Sequence, residues 1–326
     1  MKKYLFGLLL IFVMTSFVFA EENSEKIEIK GSFTEGATYR FHQVYTEKIT
    51  QDIPDETRCG TINTNIDSIY SCKVKKVFRN KAYVIEFCTE SIKRTQSGPD
   101  GARSYDSSDI FGNVTFLDIP LAILSSNSFE MKLDSNGKCK VIKGYENIIK
   151  DYIKSIDFSS LPKGTKGFLK SYLNKSIGNK ALEEMFQNDI FPKKSVAIND
   201  SWENQKVSTS NIPYISNSIF TLKDRRNNIL TIDIKSGIQA NLKAPSPVIF
   251  NNYEMKYDFI GEETGTIELF ETEGIILRYQ VNSKLVGELV AVKGPNDFKD
   301  KKWPFNLESE TIIEYMPEGL ESDEEI

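Results

Sequence analysis

The side chains best suited to chemistry in this 326-residue chain are one histidine, His42, and four cysteines, Cys59, Cys72, Cys88 and Cys139. A lone histidine cannot furnish a multi-histidine metal centre, and a nucleophilic triad needs a base held beside its Ser or Cys. His42 falls inside an alternating run, GATYRFHQVYTEKITQ, and reads as an ordinary strand residue. The cysteines are separated by 12, 15 and 50 residues, with no Cys-x-x-Cys. That spacing points away from zinc knuckles and thioredoxin-like sites. An even count in an exported chain is expected to form disulfides, and four cysteines allow three pairings. Joining sequence neighbours favours Cys59 with Cys72 and Cys88 with Cys139; free or buried thiols are the other reading.

Carboxylates come in adjacent pairs: Asp55 with Glu56, Glu183 with Glu184, and Glu262 with Glu263. A glycosidase needs two carboxyls facing each other across a cleft, which adjacency does not supply, so solvated surface is the expectation for all three pairs. The run 134–137 (DSNG) has two side chains able to bond their own backbone and a glycine for positive φ. A calcium loop needs further oxygen ligands where Lys138 and Lys140 stand, so the run reads as a hairpin turn. No phosphate loop, dinucleotide fingerprint or nucleophile elbow is present, and no cofactor or metal is implied.

The elements that would position these residues are mostly strands. Residues 1–20 read as a secretory signal peptide: Lys2 and Lys3, an apolar stretch over 4–18, then Val18 and Ala20 before a polar EENSEK. Cleavage after Ala20 would leave a soluble periplasmic or extracellular protein. It removes two lysines and no acid, so the net charge moves from −5 to −7. That balance argues against nucleic acid or an anionic membrane as partner, since both need clustered positive charge. Hairpins are expected around 79–81 and over 219–234, a meander over 253–291 with turns at Gly265 and at Glu273 and Gly274, and a last short strand over 311–315. Residues 94–114 read as a long loop. Apolar residues at helical spacing predict three short amphipathic helices between 145 and 191. The order of hairpins in the two halves is alike, which would fit an internal duplication.

Three stretches carry a resemblance: FTEGATYRFHQVYTEKITQ, KLDSNGKCKVIKGYENI and, most specifically, ALEEMFQNDIFPKKSVAINDSWENQ. The chain resembles an uncharacterised family of exported bacterial proteins, domain-of-unknown-function family 6263. Asn199 stands where the family pattern has Gly, while Asp200, Ser201 and Trp202 match it. In GEETGTIELFETEGIIL, Phe270 replaces the family's Asp. The resemblance implies export and overall layout, and no activity or catalytic residue. A tight turn that caps itself through Asp200 or Ser201 and sends Trp202 into the core accounts for the motif physically.

The fold class expected is mainly β, a β-rich α+β protein of antiparallel hairpins. Its parts are an N-terminal β-rich unit (21–144), a helical segment (145–191), a C-terminal β-rich unit (192–317) and an acidic, disordered tail (318–326). The strands form either two related units or one curved sheet covered by the helices. The second arrangement would leave an apolar cleft edged by Ile149, Tyr152, Ile153, Phe168, Tyr172, Met185 and Phe186. A non-catalytic envelope protein binding a lipid or acyl chain there is the first functional expectation. A structural module binding another envelope protein is the second, and a carboxylate-based glycan hydrolase the third.

Overall fold

The structure, a computed structural model, describes residues 25–51, 60–109, 114–134, 137–159, 161, 163–186, 190–209, 212–244, 248–250, 253–293 and 301–317. The signal-peptide, Cys59, Asp55–Glu56 and acidic-tail expectations lie outside these residues. Among the described residues, no helix is long and apolar enough to cross a membrane.

Among the described residues, thirteen strands form one antiparallel sheet. They are β1 (Thr38–Gln51), β2 (Gly60–Val77), β3 (Tyr83–Gly98), β4 (Gly101–Asp106), β5 (Ser128–Leu133), β6 (Cys139–Lys143), β7 (Ser201–Ser208), β8 (Tyr214–Arg226), β9 (Ile229–Ala240), β10 (Val248–Phe250), β11 (Tyr253–Phe270), β12 (Ile276–Lys293) and β13 (Lys302–Met316). The order is β6-β5-β3-β2-β1-β13-β12-β11-β9-β8-β7, with β4 on β3 and β10 on β11. The N- and C-terminal stretches therefore join through β1 and β13 into one open, curved sheet. Each half is a meander interrupted once: β4 comes between β3 and β5, and β10 between β9 and β11.

Two local expectations are corrected. Within 94–114, residues 94–98 and 101–106 are strand, because β3 runs to Gly98 and returns as β4 after a tight turn. Gly265 is not a turn; β11 passes straight through it. A Cβ there would lie 2.1 Å from the Gln280 carbonyl oxygen, so the glycine permits close approach to β12. The 134–137 turn closes as read: Gly137 has φ 80° and donates to the Asp134 carbonyl, while Asp134 Oδ1 accepts from the Lys138 N–H at 2.9 Å.

Four α-helices are described: α1 (Ile119–Ser126), α2 (Glu146–Ser155), α3 (Thr165–Ile177) and α4 (Asn179–Phe186). The last three match the periodic runs; α1 lay hidden, since IPLAILSS shows no one-sided pattern. The helices cover the β1-β2-β3-β5-β6 end of the sheet with one core containing Phe87, Phe129, Tyr145, Leu173, Ile177 and Leu182. Two further clusters lie along β8 to β13. One holds Leu222, Ile232, Ile267 and Val281; the other holds Phe259, Leu285, Phe305 and Leu307.

The two edge strands, β6 and β7, are not paired with each other. Helix α4 spans the gap. Glu183 Oε1 accepts from the Val141 N–H of β6 at 3.0 Å. Glu184 accepts from the Thr209 N–H at 2.8 Å, from Thr209 Oγ1 at 2.7 Å and from Ser208 Oγ at 3.1 Å, at the end of β7. This pair is thus not surface solvation. It satisfies donors at both edges, which an open sheet must cover or cap.

Among the described residues, three cysteines are free thiols: Cys72, Cys88 and Cys139. The preferred bridge between Cys88 and Cys139 is not formed, for a geometric reason. Cys88 pairs with Ser128 at one end of β5, and Cys139 with Leu133 at the other. That separation is roughly 17 Å along the strand, against the roughly 6 Å that a disulfide spans. Cys88 is also exposed while Cys139 is buried.

Candidate functional site

On the core-bearing face, residues opposite one another across the strands should continue the apolar clusters. In one register row they do not. Starting at β3, that row reads Gln96, Thr64, Glu47, Ser309, Ser283, Glu263, Ser236, Ser218 and Asn204, each paired directly with the next. On β9 and β12 its flanks are apolar. Ser236 stands between Ile234 and Ile238, and Ser283 between Val281 and Leu285, all four buried. A polar belt therefore crosses the sheet between two apolar zones.

The belt bonds to itself. Glu263 accepts from Ser283 Oγ at 3.1 Å and lies 3.3 Å from Ser236 Oγ, which is 2.8 Å from Ser218 Oγ. Gln96 Nε2 donates to Thr64 Oγ1 at 3.3 Å, and the Tyr45 hydroxyl donates to Glu47 Oε2 at 2.7 Å. Burial pushes the Glu47 carboxyl above the ordinary range, against the Tyr45 hydrogen bond. Burial raises Glu263 likewise, against its serine bonds and the Lys206 charge. Burial, then the nearby Glu263, pushes the Tyr214 hydroxyl up to about 12; burial and Glu47 do the same for Tyr257. Both phenols stay protonated as donors.

A groove of about 830 Å³ follows the β4-to-β12 part of this row. Its lining is made of triplets, 46–48, 63–65, 95–97, 102–104, 282–284 and 308–310. The middle residues are Glu47, Thr64, Gln96, Arg103, Ser283 and Ser309, which are the row itself, extended to β4 by the pairing of Gln96 with Arg103. Threonine, serine, asparagine and glutamine predominate, and Glu47, Glu308 and Glu310 are balanced by Lys48, Arg103 and Lys284, so the lining sets hydrogen-bonding groups among carbon surface at low net charge.

The residues expected to edge an apolar cleft lie elsewhere. Ile149 and Ile153 are buried in the helix-covered core, with Tyr152, Tyr172 and Phe186 packed against it. Phe186 meets Phe87 and Phe129 at ring-centroid distances of 4.6 and 5.4 Å. Phe168 stacks on Phe116, and Met185 is exposed. Six of the seven are used in packing, and the seventh, Met185, faces solvent.

His42 is on the opposite parity of β1 from Glu47 and lies 3.1 Å from Asp67. Glu262 and Glu263, being adjacent on a strand, face opposite ways. Glu47 and Glu263 are three strand spacings apart, about 14 Å along the sheet, beyond the span of a glycosidase pair. Among the described residues, no cluster of three His, Cys, Asp or Glu is placed to hold a metal.

At the 199–202 motif, Asn199 has φ 72°, a left-handed conformation that Asn tolerates better than most residues. Asp200 Oδ2 accepts from the Ala197 N–H at 2.9 Å. Trp202 is half-buried, stacks on Phe220 and donates to the Ile190 carbonyl at 2.9 Å. The motif closes a turn and starts β7; it does not line the groove. The polar row escaped the sequence reading, although one signal was legible: serine or glutamate at an inward position between apolar neighbours on several strands.

Fold and site together define an open, curved antiparallel sheet, clasped across its edges by a helix and crossed by a polar belt. The chain belongs to a family of unknown function, DUF6263, whose sequence profile matches residues 80–276. No curated protein matches the chain significantly. Among solved structures, OmpF of Salmonella typhi in complex with daunomycin is 6% identical, with 86% of this chain and 98% of that chain covered and a TM-score of 0.20. A mutant Rh. blastica porin is 9% identical (86% and 100% covered, TM-score 0.19). OmpT, an outer membrane protein of Vibrio cholerae, is also 9% identical (88% and 99% covered, TM-score 0.17). At such scores these likenesses carry no argument about fold or role.

Proposed function

We propose that this is an exported, non-catalytic binding protein of the cell envelope that takes a hydroxyl- or amide-rich ligand, such as an oligosaccharide, in the groove along the polar row. The observation that carries the reading is the groove's volume and lining: about 830 Å³ bordered by six strands, with the row from Arg103 to Ser283 at its centre. That volume is in the range of small-molecule sites. Neutral donors and acceptors there match a neutral polar ligand better than an acyl chain. Export rests on the apolar 4–18 stretch and the small residues at 18 and 20. The non-catalytic reading is supported by the wide separation of Glu47 from Glu263 and by the placement of His42 on the other face.

The test is calorimetric titration of residues 21–326 with a panel of soluble oligosaccharides and, separately, a lysophospholipid. Saccharide binding that weakens at least tenfold in Thr64→Val/Gln96→Leu supports the proposal. Tight lysophospholipid binding with no saccharide response would overturn it and restore the acyl-chain reading. Saccharide hydrolysis during the titration would overturn its non-catalytic part.

A further inference from the structure

The chain is acidic overall, yet one corner of the sheet is not. The β2–β3 turn (78–82) and the described residues of the β5–β6 turn (Asp134, Gly137 and Lys138) lie side by side, because β3 pairs with β5 from Tyr83 opposite Leu133. On the face away from the core, one register row there runs Lys76, Val84, Lys132, Lys140. Lys132 and Lys140 are directly opposite each other. Like charges so placed destabilise a sheet, and among the described residues none of Lys76, Lys132 or Lys140 has an ion-pair partner. The next row differs: Lys73, Glu86, Glu130 and Lys143 balance two lysines against two glutamates, with Lys75 3.1 Å from Glu86. The corner holds two carboxylates, Asp134 and Glu35, each bonded to a backbone N–H (of Lys138 and Val77), so positive charge still predominates there. Arg79, at the tip of the first turn, and Lys138, closing the second, are exposed and add to it. At its centre is Phe78, with Lys76 Nζ 5.0 Å and Lys132 Nζ 5.3 Å from the ring centroid.

We infer that this corner docks the protein on an anionic phospholipid surface. The row from Lys76 to Lys140 extends across three strand spacings, about 14 Å. That is too wide for one phosphate, and the groove's lining does not include it. A spread of lysines around one aromatic is the chemistry that anionic headgroups at a bilayer interface accept. The cost of opposed lysines in the free protein is relieved when headgroup phosphates lie between them. The inference is independent of the ligand groove, which lies at the other end of β2 and β3.

The test is sedimentation of residues 21–326 with phosphatidylcholine vesicles, with and without about one third phosphatidylglycerol. The protein should bind the anionic vesicles at low salt, ignore the neutral ones and be released as salt rises. Lys76→Gln/Lys132→Gln/Lys140→Gln should bind roughly 100-fold more weakly, since each lysine near such a surface contributes about fivefold. It should melt no lower than the parent, so loss of binding cannot be put down to unfolding. Equal binding to neutral vesicles, or an undiminished triple variant, would overturn the inference. So would lysine-dependent binding of soluble heparin with no binding to anionic vesicles.

Discussion

Glu183 and Glu184 are adjacent on α4, and their carboxylates hold opposite edges of the same sheet. One accepts the Val141 N–H of β6, the other the Thr209 N–H beyond β7. A single helical turn therefore does what a closing strand would do in a barrel.

Removing Glu184 takes the shared acceptor from three donors at the β7 end. Glu184→Ala should cost about 1–3 kcal/mol and speed hydrogen exchange at Thr209, while the Val141 amide is left protected. Glu183→Ala should do the reverse. Exchange read by NMR separates the two; equal loosening of both edges in each variant would mean that α4 detaches as a whole.

Glu47 and Glu263 make stability depend on pH. Burial raises both folded pKa values above the unfolded value, 4.5. Their contribution is therefore fully present below that value and is lost as pH rises through the folded pKa. Glu263→Gln should raise the melting temperature by a few degrees at about pH 8 and leave it unchanged at about pH 4. A parallel shift at both pH values would show that Glu263 is not charged in the fold at the higher pH.

Arg94 and Asp118 form a buried ion pair that pins the start of α1 to β3, with Arg94 Nη2 2.6 Å from Asp118 Oδ1 and both side chains at most 8% exposed. Asp118 Oδ2 also accepts from the Thr115 N–H at 3.0 Å. Asp118→Leu alone should cost about 3–5 kcal/mol in denaturant titration, because it leaves a buried guanidinium unpaired. Adding Arg94→Met should restore most of that loss.

Asn199, at φ 72°, predicts a substitution series. Asn199→Gly should be neutral or slightly stabilising, and Asn199→Val should cost about 1–2 kcal/mol from left-handed strain. Equal stability of the two variants would mean that the turn re-forms without positive φ.

The thiols should differ in reactivity. Burial pushes Cys72 and Cys139 up to about 12, so neither forms thiolate near neutrality. Cys88 is exposed. In a Cys59→Ser background, mass-mapped alkylation should label Cys88 first and the other two only after unfolding.

Sequence alone determined most of the element types. Alternation in TYRFHQVY marked β1, helical spacing marked α2 to α4, and DSNG marked a turn, because each is set by contacts within a few residues. The reading erred where the same residue type serves two purposes. Gly265 allows close packing instead of a turn, and the Gly, Ser and Asp of 94–106 sit in a strand pair.

Tertiary structure alone decided the rest. Cys88 and Cys139 share a sheet yet stand at opposite ends and on different faces, a separation set by register. Glu47, Ser283 and Ser236 are scattered through the chain and become neighbours only when β1, β13, β12, β11 and β9 lie side by side. The charge of the whole chain hides the lysine corner, since a sum over residues carries no positions. Local periodicity encodes what each segment becomes; strand order and register, which depend on contacts far apart in sequence, decide which side chains meet.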